Sequence, residues 1–262
     1  MNDVTSGPLK LATPILHNLI RRRGGEPHAT LSSTAVWYDE DAQRTIDQEV
    51  NELLTRHGLL GPRGMDRQLL GLLESISRPQ LEYYGWFEGQ YKAANFTVLA
   101  GSGSGGAFVA VRDLREESVI IAPEQPEELL MGFLNQIPPG RPATGQPLVA
   151  TKTEYAAGSS APSEHEFSVL RSANASTQPD PAKEMRRITE APRTGAGSLY
   201  VAVRTRSGAR RRCERPLNFV DTAEGRWLME ERPGRGDPLV VFTPGTPQVL
   251  AERLRNAQGA LG

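Results

Sequence analysis

The chain has 262 residues, of which 38% are hydrophobic and 23% charged, and its formal net charge at neutral pH is −1. This length allows one or two domains, and a charge near zero provides no general attraction to nucleic acid or to an acidic membrane. The single cysteine, Cys213, excludes an intramolecular disulfide, and no apolar run approaches the ~20 residues that a membrane helix needs. Because the N-terminal segment also lacks a signal-peptide pattern, we expect a cytoplasmic protein without membrane insertion.

The first half of the chain predicts helices followed by strands. Leucines at helical spacing indicate a helix within residues 9–20, and a short strand is expected at residues 35–38. Two stronger amphipathic patterns begin at Asp41 and Met65, the first ending at His57-Gly58 and the second at Arg78-Pro79. Alternating and β-branched runs then predict four strands and a closing helix. These runs are 81–88, 95–100, 107–112, 119–122 and 126–137.

The second half follows the same order after a connector, residues 138–161, that is rich in Pro, Gly, Ala, Ser and Thr and carries one expected strand at 148–151. Ser163 and Glu166 form a capping-box pattern for one helix, and Asp180-Pro181 begins another. Four further strands and a closing helix that starts at Thr246-Pro247 complete the chain. The four strands are predicted at 199–206, 211–221, 226–230 and 239–242.

Two local matches indicate that the halves are copies of one unit. The Pro-x-x-Pro pattern at Pro123 returns at Pro244, an offset of 121 positions, and Asn95-Phe96 returns as Asn218-Phe219, an offset of 123. We therefore predict a duplicated α+β unit with halves at about 40–137 and 162–260. Pairing of both sets of strands would give one central antiparallel sheet with helices packed around it.

The sequence offers no catalytic constellation, so we predict neither an enzyme nor a cofactor. Residues Gly101 to Gly106 resemble a phosphate cradle, but they lack the GxxxxGK[ST] pattern and lead into a strand. A hairpin loop is the favoured interpretation; a nucleotide- or small-molecule-dependent enzyme that uses this loop is our second hypothesis. The four histidines have no partners at ligand spacing, so no metal site is expected.

A cluster of six arginines surrounds the turn at Ser207-Gly208, between Arg204 and Arg215. The favoured interpretation is a solvated hairpin, followed by a contact with an acidic protein. A nucleic-acid binder is the third hypothesis, because no aromatic side chains are interleaved with the arginines and the chain as a whole is not basic.

The densest aromatic cluster predicts both core and surface positions. Tyr83 and Phe87 are expected in the core, whereas Tyr84 and Trp86 could anchor a protein partner if their sheet face is partly open. Sheet alternation and the closing helix extend this hypothesis to six protein-binding residues. They are Tyr84, Trp86, Val98, Arg204, Trp227 and Leu254.

The hairpin Val220-Asp221-Thr222-Ala223-Glu224-Gly225-Arg226, followed by Phe242-Thr243-Pro244-Gly245-Thr246-Pro247 and an amphipathic helix, resembles the EspG proteins. These are cytosolic chaperones of ESX (type VII) secretion in actinobacteria. The resemblance implies one domain over residues 1–262, with a quasi-two-fold α+β fold whose central antiparallel sheet is flanked by helical bundles. It also implies that the chain binds the PPE tip of a helical PE–PPE heterodimer, keeps it soluble, and hands it to the secretion machinery without catalysis or cofactor. An exposed apolar helix tip aggregates unless it is covered, which gives such a chaperone its physical purpose.

Overall fold

A computed structural model gives the fold of the chain and describes residues 7–32, 39–89, 95–157 and 180–262. The helices in these ranges are α1 (Thr13–Arg22), α2 (Glu40–Arg56), α3 (Arg67–Ser77), α4 (Leu129–Leu134), α5 (Lys152–Ala157), α6 (Pro181–Glu190) and α7 (Pro247–Gly259), and a 3₁₀ turn (Pro126–Glu128) precedes α4. The strands are β1 (Leu9–Ala12), β2 (Leu60–Gly61), β3 (Gly64–Met65), β4 (Leu81–Gly89), β5 (Asn95–Gly103), β6 (Gly106–Asp113), β7 (Ser118–Glu124), β8 (Leu148–Thr151), β9 (Arg193–Arg204), β10 (Arg210–Arg212), β11 (Leu217–Thr222), β12 (Gly225–Arg232) and β13 (Leu239–Pro244).

Eleven of the strands in the described ranges form one large antiparallel sheet. Their order is β1-β7-β6-β5-β4-β9-β11-β12-β13-β8, and β10 pairs with β9 outside this path. The mixed α+β fold with a central antiparallel sheet, predicted from the sequence, is therefore confirmed. The first predicted half contributes four strands to this sheet, β4 to β7, and the second contributes five, β9 to β13, because one predicted strand is split in two. The duplication itself stays a prediction.

The chain divides into two compact units. The first consists of Met1–Pro139, Gly197–Pro216 and Pro247–Gly262, and the second of Gly140–Ala196 and Leu217–Thr246. This division differs from the predicted halves, because two segments of the second half belong to the first unit.

The first unit is built on both faces of β4 to β7. One face packs against α1, α2 and α3 through a cluster that includes Leu19, Leu54, Leu73 and Phe108. On the other face, Tyr83 and Phe87 stack near Phe133 of α4, and the Tyr83 hydroxyl donates to the side chain of Gln258 in α7. Alternation along β4 thus buries aromatic side chains on both faces, as the sequence predicted for Tyr83 and Phe87.

The structure confirms that α2 ends near His57-Gly58, as its sequence predicted. The amide of Leu59 donates to the carbonyl of Leu54 at 2.8 Å, and Gly58 adopts a φ of 69°. At the other end, the Asp39 carboxylate accepts from the amide of Ala42 at 2.8 Å and caps the helix.

Two predicted elements were wrong, one because strand pairing replaced a helix and one because a proline interrupted a strand. Residues 9–12 form β1 beside β7 rather than helix, and α1 starts only at Thr13, with Pro14 in its first turn. The strand expected at 211–221 is split into β10 and β11 by a segment that ends in Pro216, which has no N–H to offer a ladder. The strand expected at 35–38 and the helix expected after Ser163 lie outside the described residues.

The glycine-rich segment is a tight hairpin rather than the predicted six-residue loop. Gly101 pairs with Phe108, Ser102 with Ala107 and Gly103 with Gly106, so only Ser104 and Gly105 form the turn. A Cβ at Gly105 would lie 2.0 Å from the carbonyl oxygen of Gly71 in α3. Close packing of a helix on this hairpin therefore accounts for glycine at this turn.

We expect Gly105→Ala to destabilise the protein by about 1–3 kcal/mol, because the new methyl group meets helix backbone that cannot move away cheaply. Gly61→Ala is the matched control, since a Cβ there has no heavy atom within 4 Å. Urea denaturation of both variants measures the difference, and equal midpoints for the two would contradict the packing argument.

The second unit has a smaller core between α6 and strands β8, β11, β12 and β13. Met185, Ile188, Trp227 and Phe242 are its large buried side chains. Among the described residues of the whole chain, no helix combines the length and apolar character required to traverse a bilayer.

Candidate functional site

One face of β4, β9 and β10 in the first unit gathers aromatic and arginine side chains. Tyr84 and Trp86 share this face by alternation along β4. Tyr200 lies two residues before Ala202, which pairs with Arg212, and Arg204 pairs with Arg210. We call Tyr84, Trp86, Tyr200, Arg210 and Arg212 the aromatic–arginine patch.

The patch is a stack of rings capped by guanidinium groups. The rings of Tyr84 and Tyr200 are parallel within 10° at 5.2 Å, and the Trp86 ring meets each of them edge-on at 5.7 Å. The guanidinium carbon of Arg210 lies 5.4 Å from the Tyr84 ring centre, and that of Arg212 lies 5.4 Å from the Tyr200 ring centre. Each side chain is held by at least one planar neighbour, so little conformational freedom remains to be lost on binding.

Exposure differs sharply along the patch. Tyr84 is buried at 2% exposure, whereas Trp86 is 38% exposed and is one of the few large apolar side chains on the surface. Arg210 and Arg212 are also exposed. The patch therefore presents a partly exposed indole beside two cations, a combination enriched at the energetic centres of protein interfaces.

A buried carboxylate and a half-buried histidine lie beneath the patch. Glu82 is 2% exposed, and its carboxylate accepts from the guanidinium of Arg210 and lies 3.5 Å from Nε2 of His28. Burial raises the pKa of Glu82, although Arg210 and Arg204 oppose this change. Burial also lowers the pKa of His28 to about 4, and the charge of Arg210 acts in the same direction.

Hydrogen bonding to Thr30 is compatible with a neutral His28 ring. The ring nitrogen Nδ1 accepts from the amide of Thr30 at 3.2 Å and lies 2.7 Å from its hydroxyl oxygen. With Nδ1 as acceptor, the proton of the neutral ring is on Nε2, which faces Glu82. Glu82 thus fixes Arg210 over Tyr84 while His28 remains uncharged.

The structure brings three of the six predicted binding residues onto the patch face. They are Tyr84, Trp86 and Arg204, whose guanidinium also donates to the carbonyl of Gly208 at 2.8 Å and so holds the hairpin turn. Val98 pairs with Gly85 and is fully buried on the opposite face, and Leu254 of α7 is buried at 1% exposure. Trp227 is buried at 3% exposure in the second unit. Val98, Leu254 and Trp227 could contact a partner only if the core opened. The set of candidate binding residues is therefore reduced to those on the patch face.

Three members of the patch, Tyr200, Arg210 and Arg212, were not among the six predicted binding residues. The two arginines belonged to the cluster for which a contact with an acidic protein was the second interpretation. Aromatic side chains do accompany the arginines in the structure, but they come from β4 and β9 and not from the arginine segment itself. Tyr200 and Arg204 lie an even number of residues apart in one predicted strand, and Arg210 and Arg212 lie two residues apart in the segment that forms β10. Because side chains two residues apart point to the same face of a strand, this spacing could have indicated that they share one sheet face.

The glycine-rich hairpin borders a cavity of ≈ 480 Å³ in the first unit. Its lining is mostly apolar, and the titratable side chains in it are His57 and Glu124. Among the residues that the structure describes, no lysine or arginine lines this cavity, and a carboxylate is unfavourable beside a phosphate. The phosphate-binding hypothesis therefore finds no support there. A search of the described residues also finds no group of three His, Cys, Asp or Glu side chains arranged for a metal ion.

Comparison with known proteins decides the family. The sequence matches the profile of the EspG family over residues 20–256. The chain belongs to the EspG family. The resemblance noted at residues 220–226 and 242–247 is thereby confirmed.

A solved EspG structure has the same fold. The Mycobacterium tuberculosis type VII secretion system chaperone EspG5, solved in complex with the PE25–PPE41 dimer, aligns with a TM-score of 0.59 at 12% sequence identity. The alignment covers 97% of this EspG-family chain and 97% of EspG5. Curated protein sequences contain no significant match.

Proposed function

We propose that this chain is a cytosolic, non-enzymatic chaperone of type VII secretion. Its client is a helical heterodimer of the PE–PPE kind, which it binds at the PPE tip and keeps soluble until transfer to the ESX machinery. The family match and the fold shared with EspG5, which was solved with PE25–PPE41, support this assignment. A protein without a disulfide also suits a reducing cytosol.

The observation that carries the proposed client surface is the exposure of Trp86 at the end of the aromatic–arginine patch. A tryptophan exposed by 38% and held by two tyrosine rings offers apolar area in a fixed geometry. An apolar helix tip placed on it would lose its contact with water without ordering any long side chain of the chaperone.

Co-expression tests the function. We expect one or more of the PE–PPE pairs encoded in the same genome to co-purify with the chain as a complex that stays intact during size-exclusion chromatography. The pair expressed alone should precipitate or form large assemblies. If every pair is equally soluble with and without the chain and none co-purifies, the chaperone proposal is wrong.

Trp86→Ala should weaken client binding by about 30-fold or more, which corresponds to ~2 kcal/mol for the loss of a central interface tryptophan. The same change should lower the free energy of unfolding by only about 1–2 kcal/mol, because Trp86 is partly exposed. Calorimetric titration and urea denaturation give the two quantities.

Ile120→Ala is the matched control for Trp86→Ala, since Ile120 is a large apolar residue with 44% exposure in the same unit. We expect its affinity to remain within about twofold of wild type, as is common for surface changes outside an interface. Equal affinity losses in the two variants would show that Trp86 is not at the centre of the contact.

A further inference from the structure

The arginine hairpin carries positive charge that the rest of the described protein does not neutralise. Residues 204–215 contain six arginines and one acid, Glu214, although the whole chain has a net charge of −1. Arg210 is paired with Glu82. Within the described residues, Arg206, Arg211 and Arg212 have no carboxylate within salt-bridge distance.

These three arginines occupy different places. Arg206 is next to the turn, and Arg211 pairs with Val203 on the face opposite the patch by alternation along β10. Arg212 is therefore the one of the three that lies on the aromatic–arginine patch, with its guanidinium over Tyr200.

The cation–π contact with Tyr200 holds the Arg212 guanidinium without using its N–H bonds. Those N–H bonds can therefore donate in pairs to a carboxylate. Arg210 is less available, because Glu82 already accepts from its Nε atom and Nη2 lies 3.3 Å from His28. The patch thus combines an exposed indole with one fixed cation that lacks a counter-charge among the described residues.

We propose that the client segment that covers Trp86 carries an aspartate or glutamate beside its apolar tip, and that Arg212 binds this carboxylate. The partner at this site is therefore an acidic, apolar helix end rather than a purely apolar one. This inference rests on the proposed chaperone function, and it adds a charge requirement that selects among clients. An unpaired acid in the client would also oppose binding to proteins whose surface lacks such an arginine.

Nucleic acid is the less favoured occupant of the same surface. Phosphate binding draws its affinity from several cations along a track, whereas the patch offers Arg212 alongside an arginine already neutralised by Glu82.

Arg212→Gln and Arg211→Gln form a matched pair for the test, because both remove from the same short strand one exposed arginine that has no salt bridge to a described residue. The probe is the PE–PPE heterodimer recovered by co-expression with the wild-type chain. We expect Arg212→Gln to weaken its binding by about 10- to 100-fold and to reduce the dependence on salt, whereas Arg211→Gln should change binding by less than about twofold. Arg212→Glu should be weaker still, and reversal of one acid at the client tip to arginine should restore its binding.

The outcomes separate the two proposals. If the wild-type chain recovers no PE–PPE pair, the proposed function fails and this inference falls with it. If wild type binds but Arg212→Gln and Arg211→Gln behave alike, or if no client acid restores Arg212→Glu, the inference alone is overturned. Displacement of the client by duplex DNA, with weaker DNA binding in Arg212→Gln, would assign the surface to nucleic acid instead.

Discussion

Arg226→Ala is expected to lower the free energy of unfolding by about 2–4 kcal/mol, since the buried arginine of an ion pair is removed and its partly exposed carboxylate partner is left behind. In the second unit, Nε and Nη2 of Arg226 each donate to Asp221 at 2.7 Å, and the arginine is only 4% exposed. Its guanidinium carbon also lies 4.2 Å from the centre of the Phe219 ring. The variant therefore loses a bidentate pair, a ring contact and packed volume together, which urea denaturation will measure.

Two further variants make this result specific. Arg235→Ala removes an exposed arginine from the same unit and should change stability by no more than about 0.5 kcal/mol. The double variant Arg226→Met with Asp221→Leu should recover much of the loss, because no buried charge remains unpaired. A loss below about 1 kcal/mol in Arg226→Ala would contradict a structural role for the pair.

The second large effect is a pH dependence of stability that comes from His28. Burial lowers its pKa to about 4 from the ordinary value of 6.5. A pKa that is lower in the folded state means that the contribution of His28 is complete above pH 6.5 and is lost as the pH falls towards 4. Between pH 7.5 and pH 5 this loss should amount to about 2 kcal/mol, which urea denaturation at the two pH values can measure.

The comparison with His28→Asn isolates this effect. The asparagine oxygen can replace Nδ1 as an acceptor for Thr30 but does not titrate. Burial raises the pKa of Glu82, so Glu82 increases the free energy of unfolding as the pH falls. Burial lowers the pKa of His17, so His17 decreases the free energy of unfolding on acidification, as His28 does. Both remain in the variant, so the stability difference between wild type and His28→Asn should shrink by about 2 kcal/mol on acidification. A difference that does not change with pH would show that His28 is not held neutral by the fold.

Local signals were enough to predict many of the helices and strands. The turn at Gly58 and the proline after Arg78 each act within a few residues, so the C-terminal ends of α2 and α3 could be placed with little error. Residues 9–12 could not be predicted as a strand in the same way, because their structure depends on hydrogen bonds to residues 118–121, more than one hundred positions away. Where the partner is distant, periodicity in a short segment does not distinguish strand from helix.

The candidate surface was only half predictable for the same reason. Trp86 and Tyr84 stand in one strand, and their alternation suggested an anchor. Tyr200, Arg210 and Arg212 join them through strand pairing that the sequence does not display. The pairing of Val98 with Gly85, which puts Val98 on the opposite face, was likewise not visible in the sequence. The role of the buried Glu82 emerged only from its contacts with Arg210 and His28.

Site-specific photocrosslinking tests most directly whether the patch holds the client. A p-benzoylphenylalanine in place of Trp86 should crosslink to the PPE chain of a co-expressed PE–PPE heterodimer. The same group in place of Val149, an apolar residue with 48% exposure in the second unit, should not crosslink. Crosslinks from position 86 to the tip of the PPE chain are the result that we predict. Crosslinks from position 149 alone, in a complex that is otherwise intact, would contradict the assignment of the client surface.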